Sequence, residues 1–303
     1  MGNKIKIANA PCSWGALEFE LEGKSLDYEQ VLNEIAETGY IGTELGDWGF
    51  MPTEPKALHS EIAKRNLSLL GAFVPVALSH EKAHEEGVRK ALKVAGLMYD
   101  AGFKDAFIVL ADENGTVEYR TKNAGRINDY GGLTADEMKT FALGAEKVAK
   151  AVKDKYGMRT VFHHHCAGYI ETPEEIDTLL QSTNPELIGL CFDTGHYKFG
   201  GGKNILDVLE KHWGRIWHIH FKDFSPQVAA SMVKNNWDYF ESVRQGVFCE
   251  LGKGDVDFKA IKKFLENKNY NGWIVVEQDV LPGMGNPKQC AENNRKYLES
   301  IGL

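Results

Sequence analysis

Hydrophobic and polar residues alternate along the chain in two regular ways. Short apolar runs are typical of buried strands, and the longer stretches that follow them, with apolar residues every three to four positions, are typical of amphipathic helices. The predicted strands are Ile5–Ala10, Ile41–Leu45, Ser68–Val74, Ala106–Leu110, Thr160–His165, Leu187–Phe192, Ile216–Phe221 and Trp273–Glu277. The predicted helices are Tyr28–Thr38, Pro55–Arg65, Glu81–Ala101, Ala135–Lys155, Pro173–Gln181, Ile205–Lys211, Phe258–Asn267 and Pro287–Ser300.

Strict alternation of eight strands with eight helices predicts an α/β fold with a parallel sheet. In a chain of 303 residues, that count favours a closed (β/α)8 TIM barrel, and an open doubly wound sheet is the alternative. Because no linker rich in Pro, Gly or Ser divides the chain, we expect one domain over residues 1–303. Two segments, Asn114–Leu133 and Ser225–Gly246, do not fit the repeat. Both follow strands, so we predict long loops on the same face.

Composition narrows the classes of partner. The formal net charge of −8 disfavours a nucleic-acid surface, which needs a basic face. No apolar run reaches the roughly 18 residues of a membrane span, and the N-terminal residues contain no apolar run of secretory length. The five cysteines are odd in number and scattered, which favours a reduced cytoplasmic protein. Assembly stays open between a monomer and a homo-oligomer.

Candidate chemistry is concentrated at the carboxyl ends of the predicted strands, where TIM barrels carry their reacting residues. Those ends supply Asn9, Glu44, Asp112, His163, His164, His165, Asp193, His196, His218, His220, Lys222 and Glu277. The amino ends supply mostly Lys, Arg, Gly and Asn. The predicted active face is therefore the carboxyl face.

Strand alternation predicts which of these side chains face the barrel axis. In "RIWHIHFKD" the polar set His218, His220 and Lys222 shares one face, and Trp217, Ile219 and Phe221 share the outer face. On the fifth strand His163 and His165 face inward and His164 outward. Asp193 shares its face with Cys191, and Glu277 is also inward.

Four consecutive strands thus bring His163, Asp193, His220 and Glu277 to one centre. Taken separately, each has a structural alternative: Asp193 as a helix cap, or Lys222 in an ion pair with Asp223 or Glu250. Together they are better explained by a divalent cation, because buried charges need partners. Imidazole and carboxylate ligands without thiolate suit Mn²⁺, Co²⁺, Fe²⁺ or Zn²⁺.

The remaining inward groups are candidate acids and bases: His165, His196, Lys222 and Asp112. A cation beside Lys222 and a partly dry pocket would both lower its pKa. On this hypothesis Lys222 serves as a base or as a hydrogen-bond donor to an enolate.

Six motifs carry a resemblance to a known family: "NAPCSWG", "GTELGDWGFMP", "HHHCAG", "FDTGH", "HIHFKD" and "GWIVVEQD". Together they cover nearly the whole chain, and their pattern resembles the xylose-isomerase-like superfamily of TIM barrels. The last three are shared widely in that superfamily. The first two are most similar to the inosose (2-keto-myo-inositol) dehydratases.

The resemblance implies a metal site made by a residue at the end of the fifth strand together with Asp193, His220 and Glu277. The superfamily usually has Glu first, in a Glu-Asn-His-x-Gly motif, whereas here His163 takes that position and His165 that of the substrate-facing His. The implied cofactor is Mn²⁺ or Co²⁺, with Zn²⁺ or Fe²⁺ as alternatives. The implied reaction is loss of water from 2-keto-myo-inositol, which gives a trihydroxycyclohexane-1,2-dione.

The implied roles leave alternatives open. His165 or Lys222 would be the base, and His196 or His218 the acid or hydroxyl clamp. Glu44, Asp112 and Trp14 or Trp48 would position the polyol ring. A metal-dependent keto-sugar isomerase or epimerase is the alternative function. Because an epimerase commonly uses two Glu bases and only Glu277 is present, elimination is favoured. A sugar-binding protein without the metal ring is a further class.

Overall fold

The structure is a computed structural model that describes residues 5–16, 26–128 and 131–303. Its strands are β1 Lys6–Asn9, β2 Gly42–Thr43, β3 Ser68–Leu69, β4 Gly71–Pro75, β5 Phe107–Ala111, β6 Thr160–His163, β7 Ile188–Asp193, β8 Ile216–Phe221, β9 Asp223–Phe224, β10 Phe248–Cys249 and β11 Trp273–Val276. Its helices are α1 Tyr28–Glu37, α2 Pro55–Ala63, α3 His84–Asp100, α4 Glu118–Lys122, α5 Ala135–Tyr156, α6 Pro173–Ser182, α7 Thr194–Phe199, α8 Ile205–His212, α9 Pro226–Asn235, α10 Tyr239–Arg244, α11 Phe258–Asn267 and α12 Pro287–Ser300.

Parallel strands close into a barrel. Seven of them form one sheet in the order β1-β11-β8-β7-β6-β5-β4, and β2 pairs with β3. The β2 segment joins the two edges of this sheet, because Ile41 N donates to Ile7 O at 3.1 Å and Leu45 N donates to Gly71 O at 2.9 Å. The predicted (β/α)8 barrel is therefore confirmed, and the open sheet is excluded.

The barrel has an inner and an outer apolar layer, as period-two alternation requires. On β1, Ile7 packs in the large core that also contains the helix residues, whereas Ala8 packs inside with Val275. Trp217 departs from the prediction that it faces outward. A register irregularity between β7 and β8 leaves Trp217 packed with the inner cluster of Val161 and Cys191, because a bulge turns the side chains of one strand segment out of alternation.

Several helices begin where the sequence supplies caps. Thr134 and Thr172 each form a capping box, with Glu137 and Glu175 respectively, at the starts of α5 and α6. Such reciprocal bonds satisfy backbone N–H groups that have no partner within the helix. Asp193 caps the short helix α7, which the sequence patterns did not predict.

The two segments outside the repeat lie at the carboxyl face, as predicted, but they are not simple loops. The first contains α4, and its residues 129 and 130 lie outside the described ranges. The second contains α9 and α10 and is closed by the antiparallel pair of β9 with β10. These helices are short, and α10 begins with the side chain of Asp238 accepting from Glu241 N. Among the described helices, none combines the length and apolar character needed to cross a membrane.

Candidate metal centre and active site

Four side chains from β6, β7, β8 and the end of β11 meet at the carboxyl end of the barrel. His163 Nε2 lies 3.8 Å from Asp193 Oδ2, and His220 Nδ1 lies 4.0 Å from the same oxygen and 3.2 Å from Glu277 Oε1. One ligand atom of each residue lies within 4.8 Å of the others. The four residues predicted to converge therefore do so.

Unpaired polar atoms at this centre test whether the residues suit a cation. Both ring nitrogens of His163, Oδ2 of Asp193 and Nδ1 of His220 are buried and have no hydrogen-bond partner among the described residues. Buried polar atoms are normally paired, and a shared cation would satisfy several of these at once. Ligands about 2.0–2.2 Å from an ion have mutual separations close to those seen here. Two imidazoles and two carboxylates fit Mn²⁺, Co²⁺, Fe²⁺ or Zn²⁺.

Glu44 fixes the orientation of the His220 ring. Its Oε1 lies 3.1 Å from His220 Nε2 and 2.7 Å from His218 Nε2. His220 can therefore donate from Nε2 and leave Nδ1 directed at the centre, as outer-shell carboxylates do for metal-binding histidines. Burial alone would raise the pKa of Glu44, but the charge of His220 and the hydrogen bonds of both histidines lower it to about 2.

The two carboxylate oxygens of Asp193 have different contacts. Oδ1 accepts from His196 N at 2.7 Å as the cap of α7, while Oδ2 points to the centre. Asp193 can therefore cap helix α7 and also present an oxygen to the predicted metal site. His164 lies outside the cavity, and its Nε2 accepts from Asp193 N at 3.1 Å.

The "DTGH" segment makes room for Lys222 and holds its backbone. A Cβ at Gly195 would lie 2.6 Å from Cγ of Lys222, so only glycine fits there. Thr194 Oγ1 donates to Lys222 O at 2.7 Å and accepts from Lys222 N at 3.0 Å. The ends of β7 and β8 are therefore fixed relative to one another.

The predicted ion pairs of Lys222 with Asp223 or Glu250 are wrong. Its Nζ lies 3.1 Å from Glu277 Oε2 and 3.2 Å from Asp279 Oδ2. The Asp223 carboxylate instead accepts from backbone N–H groups of Phe224, Gly252, Gly254 and Val256. Glu250, which is largely buried, pairs with the exposed Lys253.

Neighbouring carboxylates control the pKa of Lys222. Burial does act to lower the pKa of this ammonium group, but the charges of Asp279, Glu277 and Asp193 together outweigh burial and raise the pKa well above its ordinary value. A cation held by Asp193 and Glu277 would neutralise part of this negative charge, so the lowering of the Lys222 pKa by a cation stays a prediction. The Lys222 ammonium group donates hydrogen bonds to both carboxylate oxygens of Asp279.

His165 presents an unprotonated nitrogen to the cavity. Its Nδ1 lies 2.5 Å from the carbonyl oxygen of Cys166, which fixes the proton on Nδ1 and leaves the lone pair on Nε2. Tyr239 Oη, from α10, lies 3.4 Å from that Nε2. Burial, with the nearby charges of His163 and Lys222, lowers the pKa of His165 well below its ordinary value.

A cavity of about 790 Å³, counted out to bulk solvent, opens above the centre. Its polar lining comprises Glu44, Asp47, His163, His165, His220, Lys222, Tyr239, Glu277 and Asp279. Its apolar and small-residue lining includes Ala10, Pro11, Cys12, Phe73, Phe240 and Val243. Four of the lining residues in the described part of the chain have carboxylate side chains. Among those lining residues, Lys222 is the one with a Lys or Arg side chain.

Comparison with known proteins identifies the family of this chain. Residues 32–301 match the family described as xylose isomerase-like TIM barrel. The chain belongs to this family. It is 31% identical to the inosose dehydratase of Clostridium tetani over 297 residues, which are 98% of this chain and 97% of that protein. It is 32% identical to the inosose dehydratase of Geobacillus thermodenitrificans over 302 residues, which are 99% of each.

Solved structures of the xylose isomerase-like type share the fold at low sequence identity. The probable 3-DHS dehydratase AsbF from Bacillus anthracis superposes with a TM-score of 0.70 at 15% identity, covering 97% of this chain and 99% of that one. The IolI protein with a bound zinc atom superposes with a TM-score of 0.69 at 15% identity, covering 98% of each chain. At this identity the likeness concerns the fold.

Several residues predicted to bind the polyol lie elsewhere in this family member. Trp14 is buried and donates from Nε1 to Glu34 at 2.7 Å, so it faces the α1 helix. Trp48 is 40% exposed and lies under Lys93, outside the cavity. Asp112 is buried, and its Oδ2 accepts from Tyr169 N. We therefore correct the predicted contacts of these three residues with the ring.

Two predicted histidines lie behind the cavity lining. His196 is fully buried, with Nε2 3.2 Å from Lys222 Nζ and its ring centroid 3.9 Å from that of His165. His196 is therefore not part of the cavity lining. His218 lies beneath His220 and contacts Glu44, so it also supports a lining residue instead of the ring.

Asp279, Asp47 and Tyr239 line the cavity and were missed. Asp279 continues the alternation of Trp273, Val275 and Glu277 by one more step, a signal that the "EQD" motif contains. Asp47 is in "GTELGDWGFMP", beyond the end of its strand, where alternation no longer gives a direction. Tyr239 arrives from an insertion that had no predicted helix.

Proposed function

We propose that this protein is a metal-dependent hydro-lyase that removes water from 2-keto-myo-inositol to give a trihydroxycyclohexane-1,2-dione. The observation that carries the proposal is full-length similarity to inosose dehydratases at 31–32% identity. The convergence of His163, Asp193, His220 and Glu277 under a polar cavity supports it.

We infer that these four residues hold the divalent cation. When bound, a cation at this position polarises a ketone and stabilises the enolate formed next to it. Mn²⁺ or Co²⁺ is the proposed ion, with Zn²⁺ and Fe²⁺ as the other ions that the ligand set suits. Glu44 keeps His220 oriented for this role through the bond to Nε2.

We assign the base and the acid to two neighbouring residues, both of which contact His196. His165 offers the lone pair of Nε2 and removes the proton on the carbon next to the ketone. Lys222 offers an ammonium proton, held between Glu277 and Asp279, to the departing hydroxyl on the following carbon. Water leaves, and the resulting enol rearranges to the dione. Elimination needs one base and one acid, which matches this pair.

The charges of the cavity favour a neutral substrate. Glu44, Asp47, Glu277 and Asp279 face it, and Lys222 is already paired with two of them. A phosphorylated or carboxylated substrate would bring another negative charge against these carboxylates, and like charges discriminate strongly at close range. Polyol hydroxyls can instead donate to them, while Phe73 and Phe240 face the apolar side of a ring.

The proposal also covers the location of the protein in the cell and its partner. All five cysteines lie in the described ranges and are free thiols, which supports a cytoplasmic location. We expect a small cyclitol ketone as partner.

The test is direct. Full-length protein is stripped with a chelator, reloaded with Mn²⁺ and incubated with 2-keto-myo-inositol. We expect dione formation, followed in the ultraviolet, that depends on the added metal. Asp193→Asn should lose bound Mn²⁺ and turnover together, because a ligand contributes more than the outer-shell groups whose loss typically costs about 10–100-fold in affinity.

Asp177→Asn is the matched control, since Asp177 pairs with Lys211 and His212 far from the cavity. It should keep both properties. Interconversion of keto-sugars without dione would support the isomerase or epimerase instead. Stoichiometric Mn²⁺ with full turnover in Asp193→Asn would refute the ligand set.

A further inference from the structure

A buried thiol lies one inward-facing step below the metal centre. Cys191 precedes Asp193 by two residues on β7, so both face the barrel axis. In the strand register Cys191 is opposite His163 on β6, whereas Asp193 is opposite His220 on β8. Cys191 is fully buried. It therefore lies deeper in the barrel than the carboxylate, on the side away from the cavity mouth.

The thiol shares two neighbours with the proposed cation site. Cys191 Sγ and one ring nitrogen each of His163 and His220 lie within 4.8 Å of one another. Both nitrogens of His163, and Nδ1 of His220, have no hydrogen-bond partner among the described residues. The two unpaired nitrogens of His163 indicate that a ligand belongs between the histidines, and Cys191 Sγ lies as close to these histidines as the carboxylate oxygens do.

We propose that Cys191, His163 and His220 form a second, sulfur-containing ligand set for a thiophilic divalent cation such as Cd²⁺. When the sulfur–metal bond forms, the thiol releases its proton to solvent, and no oxidation is involved. Hard ions such as Mn²⁺ prefer the oxygen ligands of Asp193 and Glu277, whereas soft ions prefer thiolate. Because both sets use His163 and His220, the two kinds of ion exclude each other.

This competition has a functional consequence, which rests on the proposed dehydratase function. An ion held by Cys191 lies a step further from Glu277 and Lys222 at the cavity mouth. Cd²⁺ would then inhibit the Mn²⁺-loaded enzyme in competition with Mn²⁺, while excess Mn²⁺ would restore turnover.

The binding claim is tested by spectroscopy without substrate. Chelator-treated full-length protein is titrated with Cd²⁺. We expect ultraviolet thiolate-to-cadmium charge-transfer absorption from one thiolate. Cys191→Ser should abolish it and lower Cd²⁺ affinity by more than the roughly 10–100-fold of an outer-shell change. Asp193→Asn should keep the absorption and lose Mn²⁺ affinity.

Cys12→Ser is the matched control, because Cys12 also lines the cavity but from the other side of the barrel. It should retain the absorption. Absence of thiolate absorption in the wild type, or its persistence in Cys191→Ser, would overturn the proposal. If Cys191→Ser does not fold, ¹¹³Cd NMR of the wild type decides, since its shift reports sulfur coordination. If the protein is an active dehydratase but shows no thiolate absorption, only this inference is refuted. If it shows thiolate absorption but no dehydratase activity, only the proposed function is refuted.

Discussion

At the carboxyl end of β8, the ammonium group of Lys222 lies between two carboxylates and an imidazole. Its contacts with Glu277, Asp279 and His196 are all 3.1–3.3 Å long. An ammonium group in such surroundings keeps its proton until a better acceptor arrives. A departing hydroxyl is such an acceptor, because it becomes a strong base as the carbon–oxygen bond breaks.

Replacing Lys222 separates the two proton transfers. In Lys222→Met, dehydration should fall by roughly 10²–10⁴-fold, the range for a lost acid or base, with bound metal unchanged. Exchange of the proton next to the ketone with solvent deuterium should persist, because His165 still removes it. Mass spectrometry of recovered substrate measures that exchange.

Lys198→Met is a suitable control for this experiment, because Lys198 pairs with Asp255 outside the cavity. It should leave both rates unchanged. If exchange and dehydration stop together in Lys222→Met, Lys222 assists proton removal. Near-normal turnover would make it a structural ion pair and leave the acid to be found elsewhere.

At the scale of elements, the two insertions join above the barrel. Arg126, in the first insertion, donates to Trp237 O at 2.9 Å and lies 3.4 Å from Asn236 Oδ1, both in the second. The residue after Trp237 caps α10, and α10 carries Tyr239 and Phe240 into the cavity lining. The first insertion therefore positions part of the cavity wall.

Loss of this link should weaken substrate binding more than chemistry. Hydrogen bonds from a charged donor are worth about 1.5–3 kcal/mol, so Arg126→Ala should raise KM roughly tenfold or more. We expect the affinity for Mn²⁺ to stay unchanged in a metal titration. Arg89→Ala, which removes a surface pair with Glu86, should have neither effect. A loss of kcat at constant KM would contradict this account.

Barrel elements were predictable because each strand alternates and each helix repeats every three to four residues. That regularity also gave the inward direction of Asp193, His220 and Glu277. It failed where the backbone leaves the repeat: at the bulge that turns Trp217, and in the insertion that brings Tyr239. The side chain of Trp14 was misplaced for a related reason, since it follows a strand in a short 3₁₀ turn where alternation has ended.

At the scale of the whole molecule, one buried carboxyl links stability to pH. Glu171 is 1% exposed and accepts from Gly125 N at 2.6 Å and Ala167 N at 2.9 Å, so it ties the first insertion to the segment after β6. Burial raises its pKa from 4.5 to about 7, against the lowering effects of Arg120 and of the two backbone donors. The folded protein therefore holds this proton more tightly than the unfolded chain does.

The sign of the resulting pH dependence follows from linkage. The contribution of Glu171 is fully present below about pH 4.5 and is lost as the pH rises through about 7. Each pKa unit is worth about 1.4 kcal/mol, so the total is about 3 kcal/mol. His164, whose pKa burial lowers to about 3, acts in the opposite direction, so the wild-type curve alone does not isolate Glu171.

Comparison with Glu171→Gln removes that ambiguity, because the amide keeps the shape of the protonated acid and does not ionise. Between pH 5 and pH 8, the free energy of unfolding of the wild type should fall by about 3 kcal/mol relative to the variant. Urea unfolding of both proteins, metal-free and in matched buffers, measures the difference. Parallel curves across this range would show that Glu171 has the same pKa in the folded and unfolded states.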